Sequence, residues 1–347
     1  MTNPRWKHRP EGSTWGDWGA DDELGRLNLL TPEKVRQGVA EVTEGLSFCL
    51  SLPLDYPGES KLNPRRHPPE ITPTQRDGKP LLNFPMQRVD PQNIDVVCDD
   101  KVLLTLQYST QWDSLAHVGA MFDADGDGEP EMVYYNGYRA NEHVRGPLAY
   151  HGDHEHQCLG PFGALKLGIE NMAAKAIQGR AVMIDLHRHF GNERKAVGYE
   201  DLRRIMTADR IEIEPGDMVL LRTGFTDLVM AMNKHPDLEV LEKSCAGLDG
   251  RDDRLLQWIS DSGITALCAD NYAVEAYPAK PKEGRRPALP LHHHCLFKLG
   301  LPLGELWWLK DLADWLRAHQ RSRVLLTAPP LRLPGAVGSP ATPVATV

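Results

Sequence analysis

The chain has 347 residues, and its 39 Lys and Arg against 48 Asp and Glu give a formal net charge of −9. This negative balance argues against a nucleic-acid-binding protein, which needs a basic surface to bind phosphates. The 41% hydrophobic and 25% charged residues are typical of a globular protein, and no apolar run approaches the roughly 20 residues that cross a bilayer.

The first 45 residues are predicted to be ordered. Thr31-Pro32 is typical of a helix start, and Gly45 of the end of such a segment. We assign residues 1–45 to an N-terminal extension and 46–347 to the main domain, which opens with the strand-like run LSFCLSL.

Residues 57–91 are rich in proline and lack periodicity, so we interpret them as a loop insertion. Two interpretations stay open for this segment. It is either a solvated insertion or a lid over a pocket.

From residue 100 onward, apolar runs of strand length alternate with amphipathic stretches. The run KVLLTLQY is predicted to be a buried strand. Further strands are predicted at AVMIDL, DMVLLR, ITALCA and VLLTA, and helices around residues 165–176 and 255–259. This alternation indicates an α/β fold with mixed sheets flanked by helices.

A polar segment follows the run KVLLTL directly. If the chain stays extended, four side chains share one face of it: Gln107, Ser109, Gln111 and Asp113. Oxygen donors on one face, with His117 close behind, suit a divalent cation. The alternative is a hydrogen-bonded strand edge that orders a loop.

Three consecutive histidines, His292, His293 and His294, precede a second apolar run, and Glu305 follows it. Consecutive side chains point in different directions, so at most one or two of these histidines can serve one site. Either one of them completes a metal site with Glu305, or all three are partly exposed at a helix start.

These two segments together resemble the cyclase family, which includes bacterial kynurenine formamidase and isatin hydrolase. The family motif H-x-G-T-H-x-D-x-x-x-H has its counterpart in Q-x-S-T-Q-x-D-x-x-x-H at residues 107–117. A second motif places a glutamate twelve residues after a histidine, and His293, Gly300 and Glu305 match it. The segment GSTWGDWGADDELGRLNLLTPEKV resembles the N-terminal extension of the longer members.

The resemblance implies the family's β/β/α fold and a divalent metal, zinc or manganese. By this resemblance the metal residues are Asp113, His293 and Glu305, with Gln111 and Gln107 where the family has histidine. Neutral glutamine is a weaker donor than imidazole, so we expect one metal ion in place of a binuclear site. This ion is either weakly bound or a harder cation than zinc.

His117 stands where the family has its general acid/base. The implied activity is hydrolysis of a small cyclic or N-acyl amide or a lactone, with water activated by the metal. We expect Trp112 and Tyr108 to bind the substrate as part of an aromatic pocket. The alternatives are a lyase or dehydratase that uses Asp113 and His117, and an inactive homologue that binds a small ligand.

The six cysteines are widely spaced and include no CxxC pair, so we expect a reduced, cytoplasmic protein. The expected partner is a small-molecule substrate, with no nucleic acid and no membrane. The resemblance also implies a homo-oligomer, a dimer or tetramer, and exposed aromatic residues of the arm that contains Trp6, Trp15 and Trp18 are a candidate contact.

Overall fold

The structure, a computed structural model, describes residues 3, 5–151 and 153–347. Its strands are short apart from one in the centre of the main sheet. They are β1 (Ser47–Cys49), β2 (Glu70–Pro73), β3 (Gln75–Arg76), β4 (Lys79–Pro80), β5 (Phe84–Pro85), β6 (Val96–Val97), β7 (Asp100–Leu103), β8 (Gln111–Asp113), β9 (Ala120–Phe122), β10 (Glu131–Val133), β11 (Val144–Arg145), β12 (Leu148–His151), β13 (His154–Gln157), β14 (Gly163–Ala164), β15 (Gln178–Asp185), β16 (Lys195–Val197), β17 (Met218–Arg222), β18 (Ala246–Leu248), β19 (Ala266–Ala269), β20 (Leu303–Glu305), β21 (Arg323–Thr327), β22 (Gly338–Pro340) and β23 (Val344–Thr346).

The helices lie mostly in the second half of the chain. They are α1 (Pro32–Ala40), α2 (Ile169–Ala174), α3 (Leu186–Phe190), α4 (Tyr199–Ala208), α5 (Phe225–Ala231), α6 (Leu238–Glu242), α7 (Asp253–Ser262), α8 (Pro290–His292) and α9 (Lys310–Ala318), with 3₁₀ turns at Gly25–Leu29, Met86–Arg88 and Tyr135–Gly137. A π-helix, His293–Leu299, continues directly from α8. In the part of the chain that the structure describes, no helix combines the length and hydropathy that crossing a bilayer requires.

A nine-stranded mixed sheet forms the centre of the described residues. Its strand order is β1-β23-β21-β15-β17-β19-β20-β8-β22. The strands β15, β17, β19 and β20 are parallel neighbours, and the pairs outside this block are antiparallel. The α/β class with a mixed sheet is therefore confirmed, as are the predicted strands at β15, β17, β19 and β21.

Both faces of this sheet are buried, which explains why its strands are continuous apolar runs. Along β17, Val219 and Leu221 pack into the core that includes Leu255 of α7, whereas Met218 and Leu220 pack into the core on the other face. That second core includes Leu312 of α9. Helices thus cover the sheet on its two sides.

The N-terminal segment belongs to the same core as the sheet. The Trp15 side chain is fully buried, donates from Nε1 to the Phe297 carbonyl at 2.7 Å and packs edge-on against Phe122. The Trp15 ring is therefore not free to make a subunit contact, and that part of the oligomer prediction is corrected. The boundary at residue 45 stays a prediction.

The run KVLLTLQY is not a buried strand, so that prediction was wrong. Strand β7 ends at Leu103, pairs only with β2 and leaves Val102 and Leu103 54% and 72% exposed. Its apolar residues lie in a small two-stranded sheet that projects from the core. The helix predicted at 165–176 is also shorter, because α2 covers only Ile169–Ala174.

The proline-rich insertion has two parts. Residues 70–91 of the insertion form short strands with many exposed side chains, which pair with each other or with β6 and β7 just beyond the insertion. The preceding segment, residues 57–67, lies over the end of the sheet, where the Tyr108 hydroxyl donates to the Glu59 carbonyl at 2.7 Å. Residues 57–67 therefore have the position of a lid, whereas the strands from residue 70 onward have that of a solvated insertion.

Candidate metal centre

Two antiparallel strands bring the polar residues of the site together. The register of β8 and β20 pairs Gln111 with Glu305 and Asp113 with Leu303. Because side chains alternate along a strand, Gln111 and Asp113 share one face. The prediction that these two side chains lie together is in agreement with this geometry.

Asp113, His292 and Glu305 form a buried cluster whose potential ligand atoms lie within 4.8 Å of one another. His292 Nε2 lies 3.2 Å from Glu305 Oε1 and 3.9 Å from Asp113 Oδ2. One imidazole and two carboxylates are a donor set that suits a divalent cation.

Glu275 holds the imidazole of His292 in place. His292 Nδ1 donates to Glu275 Oε1 at 2.8 Å, and the same carboxylate accepts the backbone N–H groups of Leu291 and His292. This arrangement directs Nε2 toward Asp113 and Glu305, as an outer carboxylate does for a metal-bound histidine. Glu275 was not predicted from the sequence, although its place soon after β19, a parallel strand of the sheet, is typical of a functional residue.

The charges of the cluster perturb one another strongly. Burial and the adjacent Asp113 carboxylate raise the pKa of Glu305 to about 7. Burial alone would lower the pKa of His292, but its hydrogen bonds with Glu275 and Glu305 raise that pKa to about 10. The cluster is thus a buried site in which negative charge requires a cation or a proton.

Gln111 stands beside both carboxylates. Its Nε2 donates to Glu305 Oε2 at 3.0 Å and to Asp113 Oδ1 at 3.3 Å. Among the described residues, the buried atoms Gln111 Oε1 and Asp113 Oδ2 have no hydrogen-bond partner. Unsatisfied buried oxygens next to an imidazole fit a cation, which Asp113, His292 and Glu305 would hold with Gln111 beside it.

The structure corrects the choice of histidine: His292, not His293, lies beside Glu305. The ring of His293 instead packs on Phe297, with ring centroids 5.0 Å apart, and burial lowers its pKa to about 4. The physical reason is the π-helix after α8. Its hydrogen bonds span five residues instead of four, which adds one residue to the path between histidine and glutamate.

Trp112 is a second correction. It points away from Gln111 and Asp113, is fully buried, donates from Nε1 to the Ala328 carbonyl at 2.7 Å and packs against Trp307. The Trp112 ring therefore lies in the core and cannot contact a substrate.

Gln107 lies in a turn before β8, because the chain is not extended between residues 107 and 110. The Gln107 side chain lies against Gly338 of β22, the residue that pairs with Asp113 of β8. In the described residues, no hydrogen bond joins Gln107 to the cluster. Its place among the metal residues stays a prediction.

His117 and Tyr108 line a cavity of about 600 Å³ that reaches His292 and Glu305. His117 Nε2 lies 3.8 Å from Asp113 Oδ1, and burial lowers the pKa of His117 below its ordinary value. Tyr272 and Tyr277 line the same cavity. The cavity therefore presents a neutral imidazole and aromatic walls next to the acidic cluster.

The family model described as "Putative cyclase" matches residues 50–276. A crystal structure described as a novel cyclase is 30% identical, covers 96% of this chain and 97% of its own, and superposes with a TM-score of 0.73. No curated protein matches the sequence.

Two isatin hydrolase structures share the fold at lower identity. Isatin hydrolase A from Labrenzia aggregata, bound to benzyl benzoate, is 14% identical, with 90% of this chain and 97% of that chain covered and a TM-score of 0.55. An isatin hydrolase bound to the product analogue thioisatinate is also 14% identical, with 91% and 99% covered and a TM-score of 0.53. With a family model that matches most of the chain, and with a relative of 30% identity along nearly its whole length, the protein belongs to the cyclase family.

Proposed function

We propose that this protein is a metal-dependent hydrolase that cleaves a small cyclic or N-acyl amide, or a lactone. The observation that carries the proposal is the convergence of Asp113, His292 and Glu305 at the end of a cavity that His117 also lines. Membership of the cyclase family supports an enzyme of this kind.

A divalent cation, zinc or manganese, held by Asp113, His292 and Glu305 would polarise a carbonyl and lower the pKa of water. Glu275 orients His292, and Gln111 holds the two carboxylates in position.

His117 is the proton carrier in this proposal. Its lowered pKa keeps the imidazole neutral near pH 7, so Nε2 can accept a proton from the attacking water. The same atom then gives the proton to the leaving nitrogen or oxygen, which yields a carboxylic acid and an amine or alcohol. Tyr108, on the cavity wall, is proposed to contact the substrate.

The first test is metal content together with turnover. Protein purified without chelator should contain about one divalent ion per chain, and Glu305→Gln should lose it because a charge that no neighbour replaces is removed. If the parent protein holds no metal under any loading condition, the metallohydrolase proposal fails.

Turnover tests the role of His117. On a substrate found by screening amides and lactones, His117→Ala should lower kcat by about 10²–10⁴-fold. Metal content and the unfolding midpoint should stay unchanged, since His117 is not in the ligand cluster. An unchanged kcat removes His117 from the mechanism.

One observation favours a second candidate function, a metal-free homologue that binds a small ligand. The Gln111 amide already donates to both carboxylates, as it would if it replaced a cation. Metal analysis and ligand binding after exhaustive chelation separate the two functions. A metal-free binding protein contains no stoichiometric metal and still binds its ligand after chelation. A lyase using Asp113 and His117 would instead show turnover without consumption of water.

A further inference from the structure

The lid segment carries a positive charge into the cavity. Arg66, in residues 57–67, lines the cavity together with His117, His292 and Glu305. This segment is attached to the residues before β8: the Thr105 hydroxyl accepts the His67 N–H at 3.0 Å, and the Tyr108 hydroxyl donates to Glu59. Arg66 is thus positioned by the same turn that leads into the metal cluster.

Most of the guanidinium of Arg66 is free to bind a ligand. Nη1 donates to the Gln107 carbonyl at 2.7 Å, and in the part of the chain that the structure describes the edge formed by Nε and Nη2 has no hydrogen-bond partner. Within the described ranges, Arg66 forms no ion pair, unlike several other buried or partly buried arginines. Arg180, Arg222 and Arg139 each pair with carboxylates at 2.7–3.6 Å.

The charge of Arg66 acts on the catalytic groups. Burial is the main reason for the lowered pKa of His117, and the positive charge of Arg66 contributes to it. The same charge opposes the rise in the pKa of Glu305. Glu59 of the same segment is engaged elsewhere, because it pairs with Lys61 at 2.7 Å and with His235 at 3.0 Å, whereas Arg65 and Glu242 are further charges that line the cavity.

We propose that Arg66 is a specificity residue that binds a carboxylate of the substrate. The substrates are then anionic amides or lactones, in which a carboxylate lies close to the bond that is cleaved. A planar guanidinium with a free edge matches a carboxylate in two parallel hydrogen bonds. The tyrosines of the wall, Tyr108, Tyr272 and Tyr277, suit an aromatic body. This proposal deepens the proposed hydrolase function and rests on it, because the ligand is a substrate only if the protein is a hydrolase.

Binding of benzoate and benzamide tests the proposal without turnover, since the two probes share a shape and differ in charge. Calorimetric titration of the zinc-loaded protein should show that Arg66→Gln weakens benzoate binding by about 10–100-fold and leaves benzamide binding within about twofold. Arg76→Gln is the control, because Arg76 of β3 is an exposed arginine outside the set of residues that line the cavity. It should bind both probes as the parent does.

Three results would overturn the proposal. In the first, Arg66→Gln binds benzoate as tightly as the parent. In the second, it loses benzamide to the same extent, which indicates a change of cavity shape. In the third, benzoate binding depends on zinc alone, so that the metal and not Arg66 holds the carboxylate. Arg66→Lys, which keeps the charge without the fork, should be intermediate, and unfolding midpoints check that each variant is folded.

Kinetics separates substrate binding from a direct catalytic role. With 2-acetamidobenzoate and 2-acetamidobenzamide as probes, Arg66→Gln should raise KM for the acid alone. A fall in kcat of equal size on both probes would overturn the proposal, because Arg66 would then act on the charge that develops during reaction. If no amide is hydrolysed while benzoate binding still depends on Arg66, the hydrolase function fails and the carboxylate site stands.

Discussion

Three adjacent histidines have three different environments in this protein. His292 contacts Glu275 and Glu305, His293 packs on Phe297, and His294 lies 3.0 Å from the Ser260 hydroxyl. Only the first of them faces the acidic cluster. Their chemistry is identical in the sequence, so position alone decides which one can bind a metal.

This difference predicts opposite results for two neighbouring substitutions. His292→Ala should lower zinc affinity by at least about 100-fold, since it removes the one imidazole of the cluster. His293→Ala is the matched control and should leave affinity within about threefold. Competition with a chromogenic chelator measures both affinities. Equal losses in the two variants would contradict the assignment of His292.

Gln111 predicts a gain of affinity. Gln111→His should strengthen zinc binding, because imidazole is a better zinc donor than a neutral amide and position 111 faces Glu305. The gain should be about tenfold or more in the same competition assay. Gln111→Asn, which shortens the amide without supplying an imidazole, serves as control. If Gln111→His binds zinc no better than the parent, residue 111 does not reach the cation.

At the scale of the elements, the candidate site lies on short strands, and helices packed closely on the sheet keep these strands in position. Helix α1 lies directly on β15, where Gly38 faces Gly179. A Cβ at Gly38 would come within 2.8 Å of the Gly179 carbonyl carbon and 2.9 Å of the Arg180 nitrogen. These are backbone atoms of a central strand, so they cannot move aside cheaply.

Gly38→Ala should therefore destabilise the protein, although alanine favours a helix. We expect a loss of about 1–3 kcal/mol in the free energy of unfolding, which is typical of overpacking. Urea titration measures it, with Val39→Ala as a control because Val39 is 55% exposed on the same helix. The control should change stability by less than about 0.5 kcal/mol. An unchanged midpoint for Gly38→Ala would show that α1 shifts freely on the sheet.

At the scale of the whole molecule, the N-terminal segment, the central sheet and the lid depend on one another. Trp15 packs against Phe297 of the π-helix, which follows His292, and the lid is attached to the turn before β8. The cavity beside the acidic cluster therefore lies between parts of the chain that are far apart in sequence.

The oligomeric state stays a prediction, and we expect a homodimer. Several large apolar side chains are exposed on the paired strands β2 and β7, namely Ile71, Val102 and Leu103 at 69%, 54% and 72%. Exposed apolar side chains grouped in one region are typical of an interface. Light scattering at micromolar concentration should give twice the mass of the chain, and a monomeric mass would contradict the prediction.

The sequence by itself determined the α/β class and the buried strands of the central sheet, and it pointed to candidate residues for the site. Runs such as DMVLLR are apolar throughout because both faces of the sheet are covered, and this pattern is visible without a structure. Asp113, Glu305 and His117 followed from their spacing in a family motif. Apolar runs and motif spacings are local features of the sequence, so they can be recognised without a structure.

Only the tertiary structure decided the contacts that depend on distant parts of the chain. The helix that continues into a π-helix places His292, and not His293, beside Glu305, and strand alternation places Trp112 in the core. Glu275 and Arg66 reach the site through packing between segments that no motif connects. The physical reason is that a side chain's direction depends on helix type, strand register and long-range contacts, none of which is encoded in the spacing of residues alone.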